Sequence, residues 1–137
     1  MKKLLSIHYS EWAFNLTMLG LRLVSGLLML FLHGLDKLQK FDTLQGNFYS
    51  FLGMGPKTSL VLAIFAELFC SLFIILGLFT RFATIPIIIT MLVAIFGHNA
   101  GKPLLDNETG SLYITVFFAL LLCGPGKISI DAMISGS

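Results

Sequence analysis

Four stretches of this 137-residue chain, about 16–33, 58–79, 82–98 and 109–123, are nearly continuous in Leu, Ile, Phe, Val, Ala and Met. Crossing about 30 Å of hydrocarbon takes about 20 residues of α-helix, because each residue advances about 1.5 Å. The first two runs meet that length. The last two are shorter and must recruit their polar flanks, as a small tilted bundle in a thinned bilayer would. The remaining composition leaves no aqueous alternative. Only 12% of residues are charged, about half the usual share of a soluble domain, too few to coat a globule in water. The expectation is therefore an all-α integral membrane four-helix bundle in a single domain, residues 1–137.

An even number of crossings puts both termini on one side. Lys2, Lys3, Arg81 and Lys127 lie on that side and Lys37, Lys40, Lys57 and Lys102 opposite, so the positive-inside count is tied. Arg81 sits in the tightest loop and tips the reading towards cytoplasmic termini in a bacterial-type inner membrane. The basic start, Met1-Lys2-Lys3, has the look of a signal peptide. His8, Ser10, Glu11 and Asn15 interrupt what would be its apolar core, so the opening is read as retained. Tyr9, Trp12 and Phe14 are placed at headgroup level. Cys70 and Cys123 are far apart inside apolar runs and are read as small buried side chains. The net charge of +2 comes from no basic run, which argues against nucleic acid.

The segment from Gly34 to Lys57 is long for a connector. Phe41, Leu44, Phe48 and Phe51 or Leu52 recur within it at helical spacing. Asp42 or Thr43 would start such a helix and Gly53 end it. This predicts a short amphipathic interfacial helix between the first and second spans, either an anchor or a lid over the bundle mouth.

A charge inside a span costs about 2.5–3.5 kcal/mol on insertion scales, so each needs a partner or a purpose. Arg22 precedes His33, the expected outer end of the first span, by eleven residues or about 16 Å; Glu67 follows Ser59 by eight, or about 12 Å. In antiparallel neighbours the two reach similar depths, and a bidentate guanidinium–carboxylate pair is predicted. It serves either as a staple between helices or as the floor of a cavity that handles a ligand or a proton. Arg22, Gly26, Met29 and His33 share one helical face, with Lys37 one turn beyond. Gly26 on that face permits close approach of a helix or a flat ligand.

The outer mouth would gather His33, Lys37, His98, Asn99, Asp106 and Glu108 from three helix ends. A polar mouth of this kind can hydrogen-bond a head group or move protons near neutral pH. Two histidines could also ligate haem, but no dense ligand spacing is present, and no metal site is expected.

The segments HGLDKL (33–38), AELFCSLFIILGLFTRFA (66–83), MLVAIFGHN (91–99) and GPGKISID (124–131) together resemble the DoxX family of small four-helix membrane proteins. The likeness runs from about Leu21 to Asp131. Arg22, Gly34, Lys37, Glu67, Gly77, Arg81, His98 and Asp131 fall on polar and glycine positions of the family pattern, and Gly124, Pro125 and Gly126 form its closing turn. Cys70-Ser71 stands where members usually carry small residues including glycine. The resemblance implies an oxidoreductase component, as in thiosulfate:quinone oxidoreductase subunits, with links to oxidative or quinone stress. The bundle is also similar to quinone-using four-helix enzymes whose cysteine pair this chain lacks, so their thiol chemistry does not carry over.

The resulting expectation is a quinone or similar small ligand in a polar intramembrane cavity. Arg22, His33, Lys37, Glu67 and His98 would bind it, and Glu67 and His98 are the candidates for a catalytic role. Thirteen phenylalanines offer apolar walls. No intrinsic cofactor is evident; haem ranks behind quinone. Candidate partners are the bilayer, a redox subunit and a second copy of the chain. The competing reading is a non-catalytic scaffold or assembly factor for a redox or stress-response complex. Transport of a small anion ranks last, since four short helices leave little room for alternating access.

Overall fold

The computed structural model describes residues 2, 4–98, 101 and 107–135, with the side chain of His98 outside the description. Among the described residues all regular structure is helical. Helix α1, Glu11–Gln39, is 29 residues long. It starts where Ser10, in extended backbone, accepts the Ala13 N–H on its hydroxyl at 3.1 Å, a standard N-cap with Glu11 favourably placed in the first turn. A single helical turn, α2 (Phe41–Leu44), follows. Helix α3, Pro56–Leu76, opens on a proline at its first turn, where the missing N–H costs nothing. Helix α4 is Thr80–Gly97, α5 is Glu108–Cys123, and a short α6, Ile130–Ser135, closes the chain.

Three of these helices, α1, α3 and α4, are long and apolar enough to cross a membrane. At 16 residues α5 is apolar but shorter. Helix α1 packs on α3, α3 on α4, α4 on α5, and α5 back on α1. Met29, Cys70, Ile74, Ile87, Phe117 and Leu120 meet in the core between them. The outward faces are as apolar as the interior: Leu27, Leu28, Phe31 and Leu32 on α1, Phe65, Phe69 and Leu72 on α3, and Phe82, Ile85 and Ile89 on α4 are all exposed. Arg22, Ser25, Ser59, Glu67, Ser71, Thr80 and Thr84 are buried. Polar groups inside and a continuous apolar circumference are the arrangement of a multi-pass membrane protein.

Two features depart from the sequence reading. The first helix does not end at His33. Gly34 has ordinary helical dihedrals, φ −64° and ψ −54°, and the helix continues to Gln39. Gly34 serves packing here: a Cβ would lie 2.8 Å from the backbone C and O of Glu67 and the N of Leu68. The single amphipathic helix expected over 41–52 is also absent. After α2 the chain turns near Gly46 and Asn47 and then forms a 3-10 turn over Phe51–Gly53. Leu52 (φ 51°), Gly53 (φ 74°) and Gly55 (φ 94°) hold left-handed or extended positive-φ geometry, which no continuous helix can contain.

Among the described residues three π-helical segments interrupt or end the long helices: Leu30–Gly34 in α1, Phe65–Cys70 in α3 and Ala94–His98 at the close of α4. All three lie in the half of the molecule away from the termini. Each is a turn with one residue too many, a geometry that recurs at functional sites.

Candidate functional site

The expected Arg22–Glu67 pair does not form. Arg22 is 2% exposed, and its guanidinium is spent on main-chain carbonyls. Nε donates to Ile74 O at 3.0 Å and Nη2 to Ile75 O at 3.0 Å. Nη1 donates to Pro125 O at 3.0 Å and Ile128 O at 2.6 Å. Ile74 and Ile75 belong to the last turn of α3, whose carbonyls have no partner within the helix and form the negative end of its dipole. The arginine therefore ties the end of α3 to the Gly124-Pro125-Gly126 turn.

The neighbouring motif residues complete this junction. Gly77 takes the left-handed conformation (φ 73°). Its N–H donates to Ile74 O and that of Leu78 to Phe73 O, the two bonds of a Schellman cap. A Cβ on Gly77 would come within 3.0 Å of Arg22 Nη2. Asp131 accepts the N–H groups of Phe79 at 2.7 Å and Thr80 at 2.9 Å, capping α4, and donates its own N–H to Gly77 O at 2.8 Å. Asn15 accepts the Lys127 N–H, and Lys127 pairs with Glu11 at 3.0 Å. Arg22, Gly77, Arg81, Gly124, Pro125, Gly126 and Asp131 thus gather at the termini end.

The register explains the error. Gly34, rather than a residue beyond the end of the first span, stands level with Glu67. Arg22, twelve residues earlier, is level with Ile74–Ile75, near the far end of α3. The cation that Glu67 meets is Lys37, one turn past Gly34: Nζ to Oε2 is 2.8 Å, with the two side chains 20% and 2% exposed. No other described group bonds Oε2.

This pair edges a cavity of about 660 Å³ between α3, α4, the end of α1 and the segment that follows it. Phe48, Phe51, Phe65 and Ile89 form apolar walls. Leu62, Phe65 and Ile89, which also line it, are each nearly half exposed on the outer surface, so the cavity opens sideways towards acyl chains. Asp36, Lys40 and Asn47 line its other margin. Pro86, inside α4, lacks the N–H that would bond Phe82 O, which loosens the helix beside the cavity. Thr90 donates its hydroxyl to Pro86 O at 2.8 Å.

The covering segment is fastened at two places. Ser59 accepts the Phe51 N–H at 2.8 Å and donates to Gly55 O at 2.8 Å. The Tyr49 ring lies on Gly97, where a Cβ would be 2.8 Å from its hydroxyl oxygen.

His33 does not line the cavity. It is half-buried and meets the Tyr113 ring edge-on, at a centroid distance of 5.3 Å and an interplanar angle of 89°. Tyr113 stacks on Phe117 and lies within electrostatic reach of Glu67. Asn99, Asp106 and the side chain of His98, expected at the same mouth, lie outside the described residues. The structure therefore joins Lys37 to Glu67, with His33 nearby through Tyr113, and removes Arg22 from the group. Sequence reasoning missed Ser59, Thr90, Tyr49 and Tyr113. The one available signal was the helical stripe Arg22–Gly26–Met29–His33, which runs on to Lys37 without a break.

No curated protein and no solved structure matches the chain. The family model described as DoxX matches residues 17–100, from α1 to the end of α4 and more than half of the sequence, and the chain belongs to the DoxX family.

Proposed function

We propose that the chain binds a neutral, lipid-soluble ligand of the quinone type in the cavity beside Lys37 and Glu67, as one component of a quinone-linked redox pathway. The carrying observation is the 2.8 Å ion pair between the buried Glu67 and the partly buried Lys37 at the edge of an apolar, laterally open cavity. The four charged groups around it, Asp36, Lys37, Lys40 and Glu67, pair as Lys37–Glu67 and Lys40–Asp36, which favours an uncharged guest. An ammonium carries three N–H donors, and Glu67 takes one. Those remaining can donate to a ligand carbonyl, while phenylalanines pack against a flat ring. Glu67 is the group suited to exchange a proton with that carbonyl oxygen. Electrons come from a partner redox subunit.

The reading includes a bundle of four crossings with both termini on the cytoplasmic side of a bacterial-type inner membrane. The ring of contacts through α5 supports the fourth crossing. Purification of the full chain in mild detergent, with a visible spectrum and mass analysis of extracted small molecules, tests the proposal. Near-stoichiometric quinone, lost in Glu67→Gln and Lys37→Met while the protein stays folded, is the expected result. A folded, empty protein that also fails to take up an added short-tailed quinone would overturn it.

A second reading, a non-catalytic scaffold, is favoured by the dense junction around Arg22. It requires the Lys37–Glu67 pair to serve stability alone. In that case the exchanged pair, Lys37→Glu with Glu67→Lys, restores both folding and cellular phenotype.

A further inference from the structure

A second depression, of about 450 Å³, lies at the opposite end of the molecule, where α3 gives way to α4. Thr80, Arg81, Phe82, Pro125, Gly126 and Asp131 are among the residues that line it. The charges here are unevenly matched. Asp131 uses both oxygens on the Phe79 and Thr80 N–H groups and lies within the field of Arg22. Lys127 is paired with Glu11. Arg81 is exposed. Its carbonyl accepts the Thr84 hydroxyl, but its guanidinium takes part in none of the ion pairs or hydrogen bonds among the described residues and rests over Gly124, where a Cβ would lie 3.0 Å from Nη2 and 3.2 Å from Nε. A positive charge thus stands at the edge of the groove with no counter-ion among the described residues.

Two further observations narrow the kind of anion that would suit this charge. Thr80 is fully buried, and its hydroxyl has no hydrogen-bond partner among the described residues, so an O–H donor stands unused beside the groove. Phe79 and Phe82, which flank Arg81, are 59% and 76% exposed, an apolar surface at the level where membrane-crossing helices end. A cation, a spare hydroxyl and an aromatic ledge at headgroup depth match a phosphate that carries acyl chains. A free phosphate would have no use for the ledge.

We propose that this groove binds one anionic phospholipid, its phosphate on Arg81 and its first acyl segment along Phe82. The site is independent of the quinone reading, because it shares no residue with the first cavity.

Native mass spectrometry of the full chain released from detergent, loaded with phosphatidylglycerol or with phosphatidylcholine, tests it. Retention of the anionic lipid is expected to exceed that of the zwitterionic one by about fivefold. Arg81→Gln should bring the ratio close to one, Arg81→Lys should keep part of it, and Lys127→Gln should leave it unchanged. Should Arg81→Gln fail to fold, Thr80→Val removes only the unused hydroxyl and is expected to lower the ratio. Equal retention of the two lipids by the unaltered protein overturns the proposal, as does a ratio unmoved by Arg81→Gln or, in its place, by Thr80→Val. Displacement of the lipid by millimolar inorganic phosphate also overturns it, by marking a general anion site.

Discussion

Each half of this molecule draws one cation of the first helix inward, Arg22 completely and Lys37 for the most part, and the two are treated in opposite ways. Near the termini, Arg22 gives four hydrogen bonds to carbonyls from two segments. Of its five N–H groups only one is left over, which leaves little for a ligand to recognise. In the other half, Lys37 meets one carboxylate and keeps N–H donors to spare beside the apolar cavity. Burial and charge alone do not separate a staple from a site. What separates them is how much hydrogen-bonding capacity survives after folding.

Several substitutions would break or sharpen that contrast. The largest effect is expected from Arg22→Met. It strands buried carbonyls at the end of α3 and in the 124–128 turn, a loss of about 3–5 kcal/mol by analogy with breaking a buried charged contact. Unfolding in detergent should show it directly, and a loss under about 1 kcal/mol would remove the distinction between the two halves.

Next comes Gly34→Val, which forces side-chain atoms into the Glu67 backbone. Overpacking of this kind costs about 1–3 kcal/mol. Because it also parts α1 from α3, ligand retention should fall together with thermal stability. Asp131→Ala removes the cap of α4 and should cost about 1 kcal/mol with no change in ligand retention.

Glu67→Gln reverses that pattern: the melting temperature should move by a few degrees at most, while extracted ligand drops at least tenfold. The smallest change belongs to Lys127→Gln at the exposed Glu11 pair, under about 0.5 kcal/mol in the same unfolding assay.

Much of the architecture could be read from residue order, because lipid imposes a simple rule on composition and span length. The runs at 58–79 and 82–98 correspond closely to α3 and α4. The first helix was misjudged at its end, because Gly34, Asp36 and Lys37 look like stop signals. Their real use is packing and pairing against α3, which only the partner's surface reveals. That misplaced end shifted the assumed register, and with it the choice of partner for Glu67.

The role of Arg22 was hidden for a different reason. Main-chain carbonyls are the same at every position, so sequence carries no mark of which ones a guanidinium will find. The covering segment shows a third limit. Its apolar spacing was helical, yet the glycines and the strained Leu52 decide the backbone.

The underwound π turns of the long helices also bear on how this scaffold tolerates change in length. A turn that holds one surplus residue can lose it and revert to the ordinary helix without breaking the rod. The wide turn absorbs the extra residue, so what lies downstream keeps roughly the same face, whereas a deletion in an ordinary α-helical turn swings everything beyond it by about 100° about the axis. A deletion between Leu30 and Gly34 would keep α1 intact with Lys37 still facing Glu67, whereas loss of Leu35 or Asp36 would turn the ammonium away and leave Glu67 alone in its apolar surroundings. In this chain the aim of a single side chain survives a miscount in one turn and not in the next.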